Sequence, residues 1–307
     1  MSTSLLADLD RSTVAGRLRD SELLLDIHPF VARIGTDLPA LVDDLRLVYA
    51  RFAVLPDETF ADFHVCILAE RRIAGGFKPQ ARFYYDGKPS FLPLPRHHAL
   101  PMLEWGLNWC VASHAHQFLI MHAAVLERGG RALLLPAPPG SGKSTLTAAL
   151  VHRGWRLLSD EFGLVRPEDG ALVPVPRLIP LKNESIEVIR RFRPEAIIGP
   201  SFLGTRKGTV AHVRPPADSI RRMQEPAPPR WFVFPRWIAN APLSLAPMAK
   251  SQAFLMVATN AFNYEVLDET AFRLVADMVR ACDCYSLSYS DLDEAIAALD
   301  ELSRDDG

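Results

Sequence analysis

The 307-residue sequence has only four cysteines, Cys66, Cys110, Cys282 and Cys284. They are too few and too scattered for a disulfide framework, and Cys282-Asp283-Cys284 has no second Cys/His pair nearby to complete a zinc site. They read as thiols packed as small hydrophobes. His97-His98 and the pair His114 and His116 lack a carboxylate at metal-ligand spacing, so no metal is expected there. Charge of one sign is also missing. With 34 basic and 36 acidic residues the formal net charge is −2, so no global field draws the chain onto nucleic acid or an anionic membrane, and an anionic ligand must be held locally. No apolar run reaches the ~18 residues of a membrane span, and the first residues hold no basic stretch leading into an apolar core. The expectation is a cytoplasmic protein with no nucleic-acid partner and no membrane span. Internal repeats and low-complexity segments are absent.

What is present is apolar residues, 49% of the chain, enough for two domains. Residues 1–95 read as an α+β domain, a possible partner- or substrate-recognition unit. It has a strand over 23–34, a helix over 38–52, strands over 63–68 and 81–85, and a hairpin corner at Tyr85-Asp86-Gly87-Lys88. Residues 96–116 form a helical connector. Residues 117–307 form the second domain, opening with a strand over 118–127, a turn at Arg128-Gly129-Gly130-Arg131 and a strand over 132–135. Twenty-five prolines, clustered at 136–139, 174–180, 215–216 and 226–235, predict long structured connections in this half. These patterns support an α/β class, with α+β as the alternative.

After the 132–135 strand comes Ala137-Pro138-Pro139-Gly140-Ser141-Gly142-Lys143-Ser144, followed by a helix to about His152 that Gly154 terminates. A strand, a glycine-containing loop and a helix in this order are the context of a phosphate-binding P-loop. Gly140 and Gly142 remove side chains that would keep the backbone from wrapping a phosphate, and consecutive N–H groups then point inward. Lys143 supplies charge for the β and γ phosphates, and Ser144 can place its hydroxyl on Mg²⁺ at the positive end of the helix. The nucleotide-binding set is Pro138, Pro139, Gly140, Ser141, Gly142, Lys143, Ser144 and Thr145, with ATP and Mg²⁺ as cofactors. Ala137 stands where the usual pattern has its first glycine.

The strand over 156–159 delivers Asp160 and Glu161, seventeen and eighteen residues after Lys143. Phosphoryl transfer needs a metal, a cationic clamp and a carboxylate that orients or deprotonates the acceptor. An acidic pair returning to the loop's edge meets that need; a solvated acidic turn is the alternative. Two further basic groups stay open between phosphate or acidic-substrate contacts and solvated surface. One is Arg177 with Lys182. The other is a glycine-containing loop carrying Arg206, Lys207, His212 and Arg214.

Taken together, His122-Ala123-Ala124-Val125, the Gly129-Gly130 turn, Ser141-Gly142-Lys143-Ser144 and Arg153-Gly154-Trp155-Arg156-Leu157-Leu158-Ser159-Asp160-Glu161 resemble the catalytic domain of HPr kinase/phosphorylase. More specifically the chain resembles the HPr-kinase-related kinase A family. The close match covers about residues 117–190, and residues 1–95 do not resemble the N-terminal domain of bifunctional HPr kinases. The resemblance implies a P-loop kinase domain of the HPr kinase and phosphoenolpyruvate carboxykinase type. It implies that Glu161 is the proton-accepting carboxylate, with Glu in place of Asp, that Asp160 is its acidic neighbour at the metal, and that His122 is the active-site histidine. Lys143 and Ser144 keep their loop roles. Glu184 is the candidate for a further metal-binding glutamate. HPr kinases are hexameric, so a homo-oligomer is compatible with the resemblance. The phosphorolysis signature of bifunctional members is not recognisable over 221–264, so no efficient reverse reaction is expected.

The function expected from these residues is Mg²⁺- and ATP-dependent phosphorylation of a serine or threonine hydroxyl in a peptide or small protein. Two alternatives remain. One is a small-molecule kinase or phosphotransferase; the other is a nucleotide-dependent binding module with little turnover.

Overall fold

A computed structural model describes residues 4–70 and 79–304. The fold is mixed α/β with several sheets. Two compact units divide the chain, residues 1–111 with 197–214, and residues 112–196 with 215–307. The segment 197–214, expected from the sequence in the second domain, therefore folds with the first unit.

In the first unit the strands Ser4–Leu5, Ala53–Val54, Leu23–Asp26, Val31–Thr36, Phe63–Ala69, Gln80–Tyr85 and Lys88–Pro89 lie side by side in that order. The run 23–34 is thus two antiparallel strands rather than one, pairing Leu23 with Ile34 and Asp26 with Val31. The apolar pattern continues across the reversal, since Ile27 and Phe30 are themselves buried, and hid it. At the 85–88 corner Asp86 and Gly87 take positive φ (46° and 72°), as a tight hairpin turn requires. The helix Ala99–His114 carries Gly106, where a Cβ would lie 2.0 Å from the Phe83 ring. Only glycine lets the helix seat that closely on the sheet.

The second unit is built on strands Leu172–Val173, Phe162–Val165, Leu119–Arg128, Arg131–Pro136, Pro229–Trp237, Asp283–Tyr289 and Ser244–Pro247, in that order, with Arg156–Ser159 also paired to 119–128. Gly129 and Gly130 (φ 60° and 80°) turn 119–128 back onto 131–136. The strands 131–136, 229–237 and 283–289 are mutually parallel, so their C-terminal ends share one edge of the sheet. Alternate residues Leu119, Met121, Ala123 and Val125, with Leu134, Phe232 and Phe234, pack with helices Lys250–Thr259 and Glu269–Ala281 through Val257, Val275 and Met278. Helices Lys143–Val151 and Leu292–Arg304 pack against each other and against strands 119–128 and 283–289. Both periods, two in the strands and near four in the helices, satisfy the same core. No helix among the described residues is long and apolar enough to cross a membrane.

Candidate active site

The chain leaves strand 131–136 at the shared C-terminal edge, passes through 137–142 and enters the helix at Lys143. Such an edge is where ligands sit in open parallel sheets, because loops there diverge and helix N-termini point inward. Gly140 and Gly142 are both left-handed (φ 87° and 89°). A Cβ on Gly142 would lie 2.8 Å from the Tyr289 hydroxyl and 2.9 Å from Trp237 Cβ. Tyr289 donates its hydroxyl to the Gly142 carbonyl (3.3 Å), and the Trp237 N–H donates to the Ser141 carbonyl (2.9 Å). These two residues end the parallel strands and pair in register, so the sheet itself clamps the loop. Neither position carries a motif; only the pairing of strands 46 residues or more apart in sequence brings them here.

Behind the loop, Lys143 is buried and its ammonium donates to the Asp160 carbonyl (2.9 Å). Ser144 donates its hydroxyl to Asp160 Oδ2 (2.7 Å). The other carboxylate oxygen, Oδ1, is buried without a hydrogen-bond partner, as is Ser141 Oγ. Burial pushes the Asp160 carboxyl up to about 6; the Lys143 charge opposes this, and the Glu161 charge adds to it.

The strand Arg156–Ser159 delivers Asp160 and Glu161 at its end, as the sequence suggests, and the two residues form a bend before a further strand, Phe162–Val165, that the sequence does not mark. Residues 156–159 pair with 125–127 and residues 162–165 with 119–122, both along the same strand. The Ser159 hydroxyl accepts the N–H of Phe162 (3.0 Å) and of Glu161 (3.3 Å), which stabilises the bend. Glu161 Oε1 comes 3.8 Å from His122 Nε2, both side chains being partly exposed. The backbone of His122 donates to Asn260 (2.7 Å), and the Asn263 side chain bonds Ile120 and Phe118. Phe262, held on the same segment, sets its ring 5.6 Å from His122 and 5.4 Å from Phe162. This clamp on the histidine strand has no local sequence signal either.

Thr145 and Glu184, the latter the first residue of helix Glu184–Phe192, line a cavity of about 290 Å³ with Gly140, Gly142, Trp237 and Tyr289. Pro138 and Pro139 are exposed at the loop's entry, and the Pro138 carbonyl accepts from Ser141 N–H (3.3 Å). Arg177 is buried, so it is not a solvated cation, whereas Lys182 is exposed. Arg206 and Lys207 occupy the tip of a hairpin formed by Phe202–Thr205 and Gly208–Val213 in the first unit. His212 is buried within that hairpin rather than lying in a loop. Among the described residues no three His, Cys, Asp or Glu side chains are grouped to hold a metal.

No protein-family model and no curated protein matches the chain. Among solved structures it is similar to the HPr(Ser) kinase/phosphatase from Coxiella burnetii, at 11% identity and a TM-score of 0.24, over 61% of this chain and 98% of that one. A likeness at that TM-score carries no argument about chemistry.

Proposed function

We propose that this chain is a Mg²⁺- and ATP-dependent kinase of the P-loop type, acting on a serine or threonine hydroxyl of a peptide or small protein. The observation that carries the reading is one connected set of contacts. Lys143 and Ser144 both bond Asp160, and the next residue, Glu161, faces His122.

Each residue has chemistry to match. The left-handed Gly140 and Gly142 free the loop N–H groups for a phosphate, and the Ser141 hydroxyl, buried without a partner, adds a donor. The Lys143 ammonium spends one of its three donors on Asp160, leaving others for a transferred phosphoryl group. Mg²⁺ fits the orphaned Asp160 Oδ1 beside the Ser144 hydroxyl. One or two protein carboxylates suffice where nucleotide phosphates and water complete the shell. Bound there, the ion would neutralise charge on the phosphate oxygens. Glu184 at the cavity wall is a further carboxylate within the same unit. The cavity between Trp237 and the loop takes the nucleoside.

Glu161 orients the acceptor hydroxyl and takes its proton as the acceptor oxygen bonds phosphorus and ADP leaves. His122 Nε2, 3.8 Å away, stabilises the Glu161 carboxylate electrostatically when its ring is protonated. The test is transfer of labelled γ-phosphate to serine and threonine peptides and to small hydroxyl compounds, with mass spectrometry of the acceptors. Lys143→Ala and Glu161→Gln are each expected to lower transfer by about a hundredfold or more; full transfer in both variants rejects the reading. A labelled metabolite beside unlabelled peptides moves the acceptor to a small molecule. Tight ATP binding with no transfer, and partner affinity that follows nucleotide state, identifies a binding module instead.

A further inference from the structure

The first unit holds a cavity of about 340 Å³ whose walls include Phe91, Leu92, Leu94, Met102, Trp105 and Arg206. Its floor is preformed. The Phe91 ring packs on Phe83 (5.1 Å) and edge-on to Trp109 (5.6 Å), and Gly106 seats the helix bearing Met102 and Trp105 directly on Phe83. Leu92 stands 71% exposed at the rim, an apolar side chain in water.

The polar contribution comes from Ser90 and one cation. Arg206, at the hairpin tip, has no ion pair or hydrogen bond among the described residues, and the Lys207 ammonium lies 5.6 Å from the Trp105 ring. The tip is fixed by Thr205 Oγ1, which donates to the Gly208 carbonyl (2.7 Å) and accepts the Lys207 N–H (3.1 Å). The His98 ring bonds the Leu203 carbonyl at 2.8 Å, anchoring the hairpin's first strand. Among the described residues no carboxylate lines the cavity. An apolar aromatic chamber of this size with one planar cation at its mouth has the make-up of a small-ligand site. A guanidinium pairs a carboxylate through two parallel N–H bonds, and the indole and phenyl walls suit a flat ring.

We propose that this cavity binds a small aromatic carboxylate, with the ring among Phe91, Met102 and Trp105 and the carboxylate on Arg206. The site is independent of the nucleotide reading. The test titrates the full chain with phenylacetate, phenylacetamide and acetate, followed calorimetrically. Phenylacetate is expected to bind about tenfold or more tightly than its amide, and acetate not to saturate. Arg206→Glu, at an exposed turn, is expected to abolish the preference for acid over amide while leaving amide affinity unchanged. Equal affinity for acid and amide, or unaltered phenylacetate binding in the variant, overturns the proposal. So does phenylacetate binding weaker than about 10 mM. Binding of an acidic phenylalanine-containing peptide without binding of phenylacetate also overturns it, in favour of a peptide ligand.

Discussion

Ser144 donates its hydroxyl to one oxygen of the Asp160 carboxylate, and the second oxygen is buried without a hydrogen bond of good geometry. A carboxylate in that state disfavours its charge, which is why burial carries its pKa up to about 6 from an ordinary 3.8. In the folded chain the proton is held until about pH 6, whereas the unfolded chain releases it near 3.8. The folded state therefore binds more protons between those values, and stability falls as pH rises through the window. The shift of about two units corresponds to about 3 kcal/mol. Asp160→Asn, which never ionises, is expected to be more stable than the parent at pH 7.5 in EDTA by about 1–3 kcal/mol and to lose that advantage near pH 4. Urea denaturation at the two pH values checks this; a difference that does not change with pH rejects it.

The same carboxylate makes metal affinity titrate. A cation must displace the proton, so Mg²⁺-dependent ATP affinity is expected to rise with pH up to about 6 and then level off, following the raised carboxyl. Asp160→Asn is expected to flatten that profile and to lower Mg²⁺-dependent affinity while leaving any metal-free nucleotide binding in place. A wild-type affinity that is level from pH 5 to 8 counts against Asp160 as a ligand.

The two loop glycines separate backbone strain from crowding. Both are left-handed, but a Cβ on Gly140 meets open space, while one on Gly142 meets Tyr289 and Trp237 below 3.0 Å. Gly140→Ala is expected to cost about 1–2 kcal/mol, the price of left-handed backbone alone. Gly142→Ala is expected to cost roughly 1–3 kcal/mol more through overpacking. Adding Tyr289→Phe to Gly142→Ala removes the nearer contact and should restore part of that difference. Equal unfolding midpoints for the two alanine variants would remove the strand-end clamp from the explanation.

Trp237 is half exposed, with its indole N–H bonded to the Ser290 carbonyl (3.1 Å), so its ring is fixed at the cavity mouth. A pinned aromatic face can stack a base for about 1–3 kcal/mol. Trp237→Leu is expected to weaken ATP binding about tenfold and to leave inorganic tripolyphosphate binding unchanged. An equal loss for both ligands would instead make the Trp237 side chain a support for the loop, through its packing and its indole bond to Ser290, rather than a stacking face.

What the sequence revealed and concealed follows from the range of the interactions. The 85–88 and 128–131 turns, the loop at 137–142 and the stop at Gly154 are set within a few residues by positive φ, so glycine marks them. The 23–34 run looks like one strand in the sequence because the reversal inside it keeps its own side chains buried. Trp237, Tyr289, Phe262 and Asn263 reach the site only through pairing with distant strands, and nothing in their immediate sequence signals it. The burial of Arg177 and His212 is likewise a tertiary fact. Basic residues near glycine and proline look solvated until the surrounding chain closes over them.

A last prediction concerns the strand that holds His122. At its far end Glu127 and Arg156 form a buried pair, each about 5% exposed, with Arg156 Nε 2.5 Å from Glu127 Oε2. Glu127 Oε1 also accepts the Gly130 N–H (2.6 Å), and Arg156 donates to the carbonyls of Arg222 and Glu225 (2.9 Å each). The pair thus ties the turn at 129–130 to the segment after helix Ala217–Arg221. Glu127→Ala strands a buried guanidinium and is expected to destabilise the second unit by about 3–5 kcal/mol. Replacing both partners, Glu127→Met with Arg156→Leu, removes both charges and should cost less than the single change, by the same reasoning. Because Arg156 opens the strand that leads to Asp160, Glu127→Ala should also raise the Mg²⁺-ATP dissociation constant without touching the nucleotide. Urea unfolding of the three proteins decides the matter: a cost below about 1 kcal/mol for Glu127→Ala would show that the pair does not fix the register on which Asp160 and Glu161 depend.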